Sequence, residues 1–330
     1  MIGWRQDIMI NALTGNTTYI RMLGVIVAFF VTFLFTSLGM KKLPTDKGRE
    51  FAHDGKLSAG KPRGAGLFFV CAFICASFFF APLNAEMIIN LILIFLCMLT
   101  GYLDDRAENP WGELRKGVLD LLIAVLVAAN YLFNNESEIS FRMFGNATFE
   151  VPQILLAIII TGLVWCAINV TNCADGVDGL SATLTILTLL GYFALSVYDG
   201  IWQDKGYILI LFCACLLAYL WFNATPSILL MGDAGSRSMG IMIAIAAIHS
   251  KSPFLYILMS FVLLFDGGLG LLKVALIRVF KIHILKNIRT PLHDQVRKNM
   301  GWSNTQCVYR FSIIQIVITL TVLYLIHATY

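Results

Sequence analysis

The segment PQILLAIIITGLVWCAINVTNCADGVDGL, residues 152–180, joins two features that recur along the whole chain. Its first part, residues 152–168, is a continuous apolar run, and a run of roughly 17 to 25 such residues can cross a bilayer as a helix. Its second part, residues 169–179, has a polar side chain at every third position and a glycine after each of two carboxylates. The segment therefore predicts a membrane helix that ends in a polar turn.

The composition indicates that such helices make up most of the protein. Of the 330 residues, 58% are hydrophobic and 13% are charged, and the mean hydropathy of +0.78 is too high for a typical soluble domain. About ten apolar stretches are present, some of them short for a full span. They lie at residues 20–40, 65–81, 87–103, 117–133, 152–168, 180–198, 207–222, 239–249, 254–276 and 309–327. The predicted fold is an all-α polytopic membrane protein with about ten transmembrane helices in a single domain, residues 1–330.

The distribution of basic residues predicts the orientation. Seventeen of the 24 Lys and Arg residues, Arg237 among them, fall in segments that follow odd-numbered predicted helices. Short loops rich in Lys and Arg stay in the cytoplasm. We therefore expect both termini outside and five loops in the cytoplasm. The net charge of +4 fits loops beside anionic lipid and does not favour a nucleic-acid partner.

Clusters of polar residues fall on the same predicted cytoplasmic side, at residues 43–66, 101–117, 169–179, 221–240 and 285–302. Asp104 and Asp105 are adjacent carboxylates at the end of the third predicted helix. One carboxylate there could simply end a helix. An adjacent pair adds like-charge repulsion to desolvation, and a nearby cation would relieve both. The pair thus favours a bound divalent ion or a lysine.

The polar turn at 169–179 also places two carboxylates, Asp175 and Asp178, at the end of a predicted membrane helix. Steps of three residues rotate 300° on a helix, so Asn169, Asn172, Asp175 and Asp178 do not share one face. The glycines after the two carboxylates predict that the helix ends near Asn172. Asp178 alone could instead be the N-cap of the sixth helix.

The segment MGDAGSRSMG, residues 231–240, contributes Asp233 between two glycines, with Ser236 near the predicted start of the eighth helix. Glycines let the backbone approach a ligand, and a helix N-terminus suits phosphate oxygens. A purely structural turn has the same composition.

Together these segments place five carboxylates on one side of the membrane. Oxygen ligands of this kind suit Mg²⁺, with Mn²⁺ as an alternative, and nearby basic side chains would balance a polyphosphate. The combination predicts phosphoryl transfer at a membrane surface. The basic residues concerned are Lys56, Lys61, Arg63, Lys116, Arg289, Arg297 and Lys298.

The motifs GYLDDR (101–106), NVTNCADGVDGL (169–180) and NATPSILLMGDAGS (223–236) resemble, in order and spacing, those of the polyprenyl-phosphate N-acetylhexosamine-1-phosphate transferases, a ten-helix membrane family. The segment PLHDQVRKNMGWSNTQCVYRF, residues 291–311, is similar to the branch that uses UDP-N-acetylmuramoyl-pentapeptide. That branch has three consecutive histidines, whereas only His293 matches here. The lysine that precedes the early Thr-Pro motif of the branch could correspond to Lys56 or Lys61.

The resemblance implies a reaction. Undecaprenyl phosphate would attack the β-phosphorus of UDP-N-acetylmuramoyl-pentapeptide with Mg²⁺ assistance, giving lipid I and UMP for peptidoglycan at the bacterial inner membrane. Asp233 would be the principal Mg²⁺ ligand and Asp178 a second one. Asp104 would deprotonate or position the lipid phosphate, Asp105 would assist, and His293 would touch the phosphate or the sugar. One displacement or two, and a homodimer, are left open.

The resemblance also implies which residues bind the substrates. Asn172 and Asp175 would hold the nucleotide-sugar and Asn223 would lie near the uridine. The full set of substrate-binding candidates is Lys56, Lys61, Lys116, Asn169, Asn172, Asp175, Asp178 and Asn223.

Two alternatives have different signatures. A UDP-N-acetylglucosamine transferase of the same family is favoured by the altered histidine segment, but its relatives lack the Gly-Trp and Arg-Phe pairs found here. An ion-coupled transporter would have carboxylates near the bilayer midplane and repeated halves, and neither is evident.

Asp266, within the ninth predicted helix, is either functional or a buried hydrogen-bonding group. The glycines after it predict a break in that helix.

Overall fold

The computed structural model describes residues 17–48, 58–144, 147–199, 203–282, 285 and 287–329. Helices dominate these segments because a backbone inside a bilayer must satisfy its own hydrogen bonds. The helices are α1 (Thr17–Gly39), α2 (Gly66–Phe80), α3 (Ala85–Arg106), α4 (Glu113–Asn134), α5 (Gln153–Ala174), α6 (Leu180–Asp199), α7 (Gln203–Asn223), α8 (Gly232–His249), an interrupted α9, α10 (Leu292–Met300) and α11 (Asn304–Thr329).

Each of the ten predicted apolar stretches coincides with a helix, which confirms the all-α polytopic membrane class. Seven of the described helices are long and apolar enough to cross a membrane: α1, α3, α4, α5, α6, α7 and α11. The span count of ten and the orientation stay predictions. One departure from the all-α expectation is a small antiparallel ribbon of β1 (Glu138–Ser140) and β2 (Thr148–Glu150) between α4 and α5.

Helix α8 lies at the centre of the bundle, and every one of its side chains is buried. Small residues make this possible. A Cβ atom at Gly101 of α3 would lie 2.5 Å from the carbonyl carbon of Asp233, and one at Gly240 would lie 2.5 Å from the carbonyl oxygen of Ala167 on α5. Glycine at these contacts lets the backbones approach closely, as is common between membrane helices.

Two sequence predictions about α8 were wrong. The helix begins at Gly232, so Asp233 lies in its first turn and Ser236 lies in its second turn instead of at its start. Arg237 is a buried helical residue with 2% exposure, although its charge predicted a cytoplasmic loop. The cause is a partner inside the bundle: Asp120 of α4 forms an ion pair with Arg237, which makes burial of the charge tolerable.

The predicted break in the ninth helix is present. Helix α9 runs through Leu255–Met259, Phe261–Leu263, a π-helical turn at Leu264–Gly268, Leu269–Ala275 and a second π-helical turn at Leu276–Phe280. Single π-helical turns often occur at functional sites. Asp266 lies in the first of these turns and is fully buried.

The ends of six helices meet at one end of the bundle, called here the site end. They are the C-terminal ends of α3, α5 and α7 and the N-terminal ends of α4, α6 and α8, because consecutive helices alternate in direction. The segment that precedes α2 docks there as well: the amide of Leu230 donates to the carbonyl of Pro62 at 2.9 Å, and the amide of Gly64 donates to that of Leu230 at 3.1 Å. Among the described residues, the site end thus collects the polar segments around Asp104, Asp175 and Asp233.

Candidate active site

Arg63 lies at the centre of an ion cluster at the site end. Its Nη1 donates to Oδ2 of Asp46 at 2.9 Å, its Nε to Oδ1 of Asp105 at 2.8 Å, and its Nη2 to Oδ1 of Asp233 at 3.1 Å. Burial would lower the pKa of the Arg63 guanidinium, but the charges of Asp105 and Asp233 outweigh burial and raise that pKa above its usual value. Arg63 therefore stays charged and holds three carboxylates together.

Lys116, in the first turn of α4, is the second cation of the cluster. Its Nζ donates to Oδ2 of Asp233 at 2.9 Å and also pairs with Oδ2 of Asp104. The other oxygen of Asp104 accepts the backbone N–H of Trp111 at 2.6 Å. The predicted relief of the Asp104–Asp105 repulsion is thus provided by protein cations, with Lys116 on one carboxylate and Arg63 on the other.

Asp105 holds the start of α8. Its carboxylate accepts the backbone N–H groups of Asp233 and Ala234, each at 3.0 Å. Such a carboxylate satisfies free amides at a helix N-terminus and interacts favourably with the helix dipole. Gly232 has a φ of +69°, a conformation that favours glycine, and a Cβ there would contact the Asp105 carboxylate. The Gly-Asp sequence is therefore required for this contact.

A cavity of about 380 Å³ opens beside the ion cluster, within the range of small-molecule sites. Its polar lining residues include Lys61, Arg63, Asp175, Asp178 and Asn223. Both oxygens of Asp178 accept from Ser227, its N–H at 3.1 Å and its Oγ at 2.8 Å. Lys61 donates to the same hydroxyl at 3.0 Å.

The polar side chains of the cavity come from segments that are distant in sequence. Asn223 accepts the N–H of Gly179 at 2.8 Å and donates to the carbonyl of Leu229 at 2.8 Å, so it joins the ends of α6 and α7 to the segment before α8. Asp175 accepts the hydroxyl of Ser181 at 2.6 Å. The cavity thus combines fixed acceptors with lysine and arginine, a set that suits a polar, phosphorylated ligand.

Known proteins share this arrangement of motifs. Residues 87–251 match the family described as Glycosyl transferase family 4. A phospho-N-acetylmuramoyl-pentapeptide-transferase of Treponema pallidum (strain Nichols) is 39% identical over 93% of this chain and 90% of its own length. The chain belongs to the phospho-N-acetylmuramoyl-pentapeptide transferase family. Transferases of the same name from Borrelia hermsii (28% identical, 96% of each chain) and Wolinella succinogenes (30% identical, 88% and 89%) are also similar. The chain is a multi-pass membrane protein.

The charge balance of this phospho-N-acetylmuramoyl-pentapeptide transferase family member bears on metal binding. Asp46, Asp104, Asp105 and Asp233 carry four negative charges against the two positive charges of Arg63 and Lys116. The remaining two negative charges match one divalent cation. In the described segments no three His, Cys, Asp or Glu side chains converge as a metal site. An ion such as Mg²⁺, which typically takes one or two carboxylates and completes its shell with phosphate and water, would need no such cluster.

His293, in the first turn of α10, contacts Asp266 through both its backbone and its ring. Its backbone N–H donates to Oδ1 of Asp266 at 2.7 Å, and its Nδ1 lies 2.8 Å from Oδ2. Nε2 points at Gly176, where a Cβ would collide with it. Asp266 is thus a buried hydrogen-bonding group whose partner is a predicted catalytic histidine, and a functional role for it stays a prediction. A proton assigned to Nδ1 leaves Nε2 free to accept a hydrogen bond.

Asp266→Asn is expected to lower the turnover of this family member about 10- to 100-fold with little change in its thermal midpoint. The amide keeps an acceptor for the His293 N–H but turns an N–H towards Nδ1, which moves the ring proton to Nε2. Asp294→Asn is the matched control because Asp294 pairs with Arg297 instead. UMP release measures both variants, and equal turnover in the two would contradict an orienting role.

Two of the predicted substrate-binding residues, Asn169 and Asn172, do not line the cavity. Lys56 is outside the described residues. Asn169 donates to the carbonyl of Trp165 on its own helix at 2.9 Å and does not line the cavity. Asn172 donates to Ser236 of α8 at 2.9 Å, which places it between helices. Asp178 bonds Ser227 and not the first turn of α6, so its N-cap alternative was wrong.

The structure also contains functional candidates that the sequence did not single out. Asp46 was not predicted, and Arg63 was predicted only as one of several balancing cations. Burial would raise the pKa of Asp46, but the hydrogen bonds and charge of Arg63 and the N–H of Gly48 hold that pKa below its usual value. A signal was present in the sequence: Asp46 and Arg63 lie in a polar segment directly before α2. However, Asp233, the partner of Arg63 on α8, is 170 residues after Arg63.

Proposed function

We propose that this protein transfers phospho-N-acetylmuramoyl-pentapeptide from UDP to undecaprenyl phosphate, giving lipid I and UMP in peptidoglycan synthesis. The observation that carries the proposal is the ion cluster of Arg63, Lys116 and four carboxylates at the membrane-helix ends, directly beside a polar cavity. Family membership supports the same reaction. Both substrates and the bacterial plasma membrane as location belong to this proposal.

Mg²⁺ would be held by Asp233 together with phosphate oxygens of the donor. When bound, it would neutralise charge that develops on the bridging oxygens. Arg63 and Lys116 contact the two oxygens of Asp233, so both cations would lie beside the diphosphate of a donor whose phosphates share that ion. Asp178 as a second ligand stays a proposal, because both of its oxygens accept hydrogen bonds from Ser227.

The acceptor phosphate would lie next to Lys116, at the level of the helix ends, with its polyprenyl chain along the apolar surface of the bundle. One of its oxygens forms the new bond to the β-phosphorus, and the bond from that phosphorus to the α-phosphate oxygen breaks to release UMP. A phosphate monoester has a second pKa of about 6, so it is already mostly ionised at neutral pH. Asp104, which holds Lys116 and the Trp111 N–H, therefore suits positioning better than proton removal.

The donor nucleotide would occupy the cavity. Asn223 and Asp175 line it, and their side chains are fixed by Gly179, Leu229 and Ser181. Preorganised polar groups cost little reorganisation when a ligand binds. Lys61 and Arg63, which also line the cavity, would balance the charge of the phosphates.

The test is UMP release by purified protein with undecaprenyl phosphate and Mg²⁺, comparing UDP-N-acetylmuramoyl-pentapeptide with UDP-N-acetylglucosamine. Release with the pentapeptide donor alone, lost on chelation of the metal, is the expected result. Release with the N-acetylglucosamine donor alone would move the protein to the alternative pathway suggested by the altered histidine segment. No release with either donor would overturn transferase activity and favour the transporter alternative.

A further inference from the structure

A second pair of charges lies deeper in the bundle than the ion cluster. Nε of Arg237 on α8 donates to Oδ1 of Asp120 on α4 at 3.1 Å, and Nη2 contacts the same oxygen. Both side chains are 2% exposed. Asp120 follows Lys116 by four residues, and Arg237 follows Asp233 by four. Each therefore lies about one turn further along the same face of its helix.

The four side chains form a closed circuit of alternating charge. Lys116 pairs with Asp233 across the two helices, and Asp120 pairs with Arg237 in the same way one turn below. Along α4 the order is positive then negative, and along α8 it is negative then positive. Every neighbour in the circuit thus has the opposite sign, and burial of Asp120, Asp233 and Arg237 reduces the screening of these attractions by solvent ions.

Stability alone gives a weak reason to bury the lower pair. The desolvation of two ions usually offsets their attraction, and well-packed apolar residues at the same positions are often as stable or more stable. Nη1 of Arg237 is buried without a hydrogen-bond partner in the described part of the chain, which adds to the cost. Neither Asp120 nor Arg237 lines the cavity, so substrate contact does not explain the pair.

We propose that Asp120 and Arg237 are positioning residues for phosphoryl transfer. Their pair fixes the register of α4 against α8 and stabilises Lys116 and Asp233 in their charged, mutually bonded arrangement. The inference rests on the proposed function, since it assigns Lys116 and Asp233 to the reacting phosphates. It predicts that the sign of the lower charges matters, and not merely their presence as a buried pair.

Exchange of the two charges tests this prediction. Asp120→Arg/Arg237→Asp keeps a buried ion pair but places like charges one turn below Lys116 and Asp233. Asp120→Leu/Arg237→Leu removes both charges. Glu138→Lys/Lys251→Glu is the matched control, because it exchanges an ion pair at the other end of the bundle. The measurements are kcat, KM for the UDP donor and the thermal midpoint in detergent.

We expect kcat to fall about 100-fold in the charge-exchanged variant and about 10-fold in the apolar one, because small displacements of reacting groups have effects of this size. KM for the UDP donor should stay within about twofold of wild type in both variants. The control variant should keep both kcat and KM within the same range. A folded charge-exchanged variant with wild-type kcat would overturn the inference. If that variant does not fold, wild-type kcat in the apolar variant would overturn it equally.

A wrong proposed function would be detected in the wild-type protein, by the donor that it uses, and not by comparison of the variants. If the wild-type protein uses only UDP-N-acetylglucosamine, the donor assignment is wrong and the same variants decide the inference with that donor. If wild type uses neither donor, both the function and the inference are overturned.

Discussion

Asp233→Asn is expected to lower UMP release at least about 10³-fold, the scale seen when a preorganised charge in an active site is removed. Asp233 is the only carboxylate in the described segments that contacts both Arg63 and Lys116. Asparagine has nearly the same shape, but it is neutral and would direct an N–H group at one of these two cations. It would also remove the ligand proposed for Mg²⁺.

The control for Asp233→Asn is Glu138→Gln, which makes the same carboxylate-to-amide change in the Lys251 ion pair at the opposite end of the bundle. We expect that variant to keep wild-type turnover. Mn²⁺ binding, followed by electron paramagnetic resonance, adds a readout that does not require turnover. Unchanged Mn²⁺ affinity in Asp233→Asn would argue against the metal role even if activity were lost.

Lys116→Met is expected to lower turnover about 100-fold and to destabilise the fold by about 1–3 kcal/mol. Methionine keeps most of the apolar chain but leaves Asp104 and Asp233 with one cation fewer. Removal of one partner from a buried pair is costly because the other charge stays desolvated. The Lys116 side chain is 27% exposed, so water relieves part of this cost.

Lys205→Met separates the two effects of the Lys116 substitution. Lys205 is 28% exposed and pairs with the buried Glu86 at 2.8 Å, far from the ion cluster. The two methionine variants should therefore lose similar thermal stability, while only Lys116→Met should lose turnover. Equal turnover in both would show that Lys116 acts through stability alone.

The sequence predicted the helices well because membrane spans have a strong, local signal. Long apolar runs and the glycines after Asp175 and Asp178 placed most helix ends within a few residues, although α8 begins at Gly232, well before the predicted stretch at 239–249. The sequence also singled out Asp104, Asp105 and Asp233, because the first two are adjacent and the third lies between two glycines. These residues were predicted to share one side of the membrane, and they do meet at one end of the bundle.

Pairings across long sequence distances were not predictable in this way. Nothing local distinguishes Arg63, which joins three carboxylates, from the other basic residues of its loop. Arg237 looked like a loop residue because its partner Asp120 comes 117 positions earlier. Asp266 was predicted to be either functional or a buried hydrogen-bonding group, and the sequence did not indicate that its hydrogen-bond partner is His293. The interior partner of a charge is a property of tertiary packing.

The complete enclosure of α8 has a consequence for membrane integration. Insertion of a helix into lipid by itself is opposed by each charged residue within it, by up to about 2.5–3.5 kcal/mol for an Asp or Arg at its centre, and α8 carries Arg237 in its second turn. The helices around α8 provide Asp120, which pairs with Arg237, and small residues such as Gly101, which allow the backbone of α8 to approach closely. We therefore expect α8 to be retained at the insertion machinery until α3, α4 and α5 are in place. The catalytic centre would then be one of the last parts of the protein to assemble during biosynthesis.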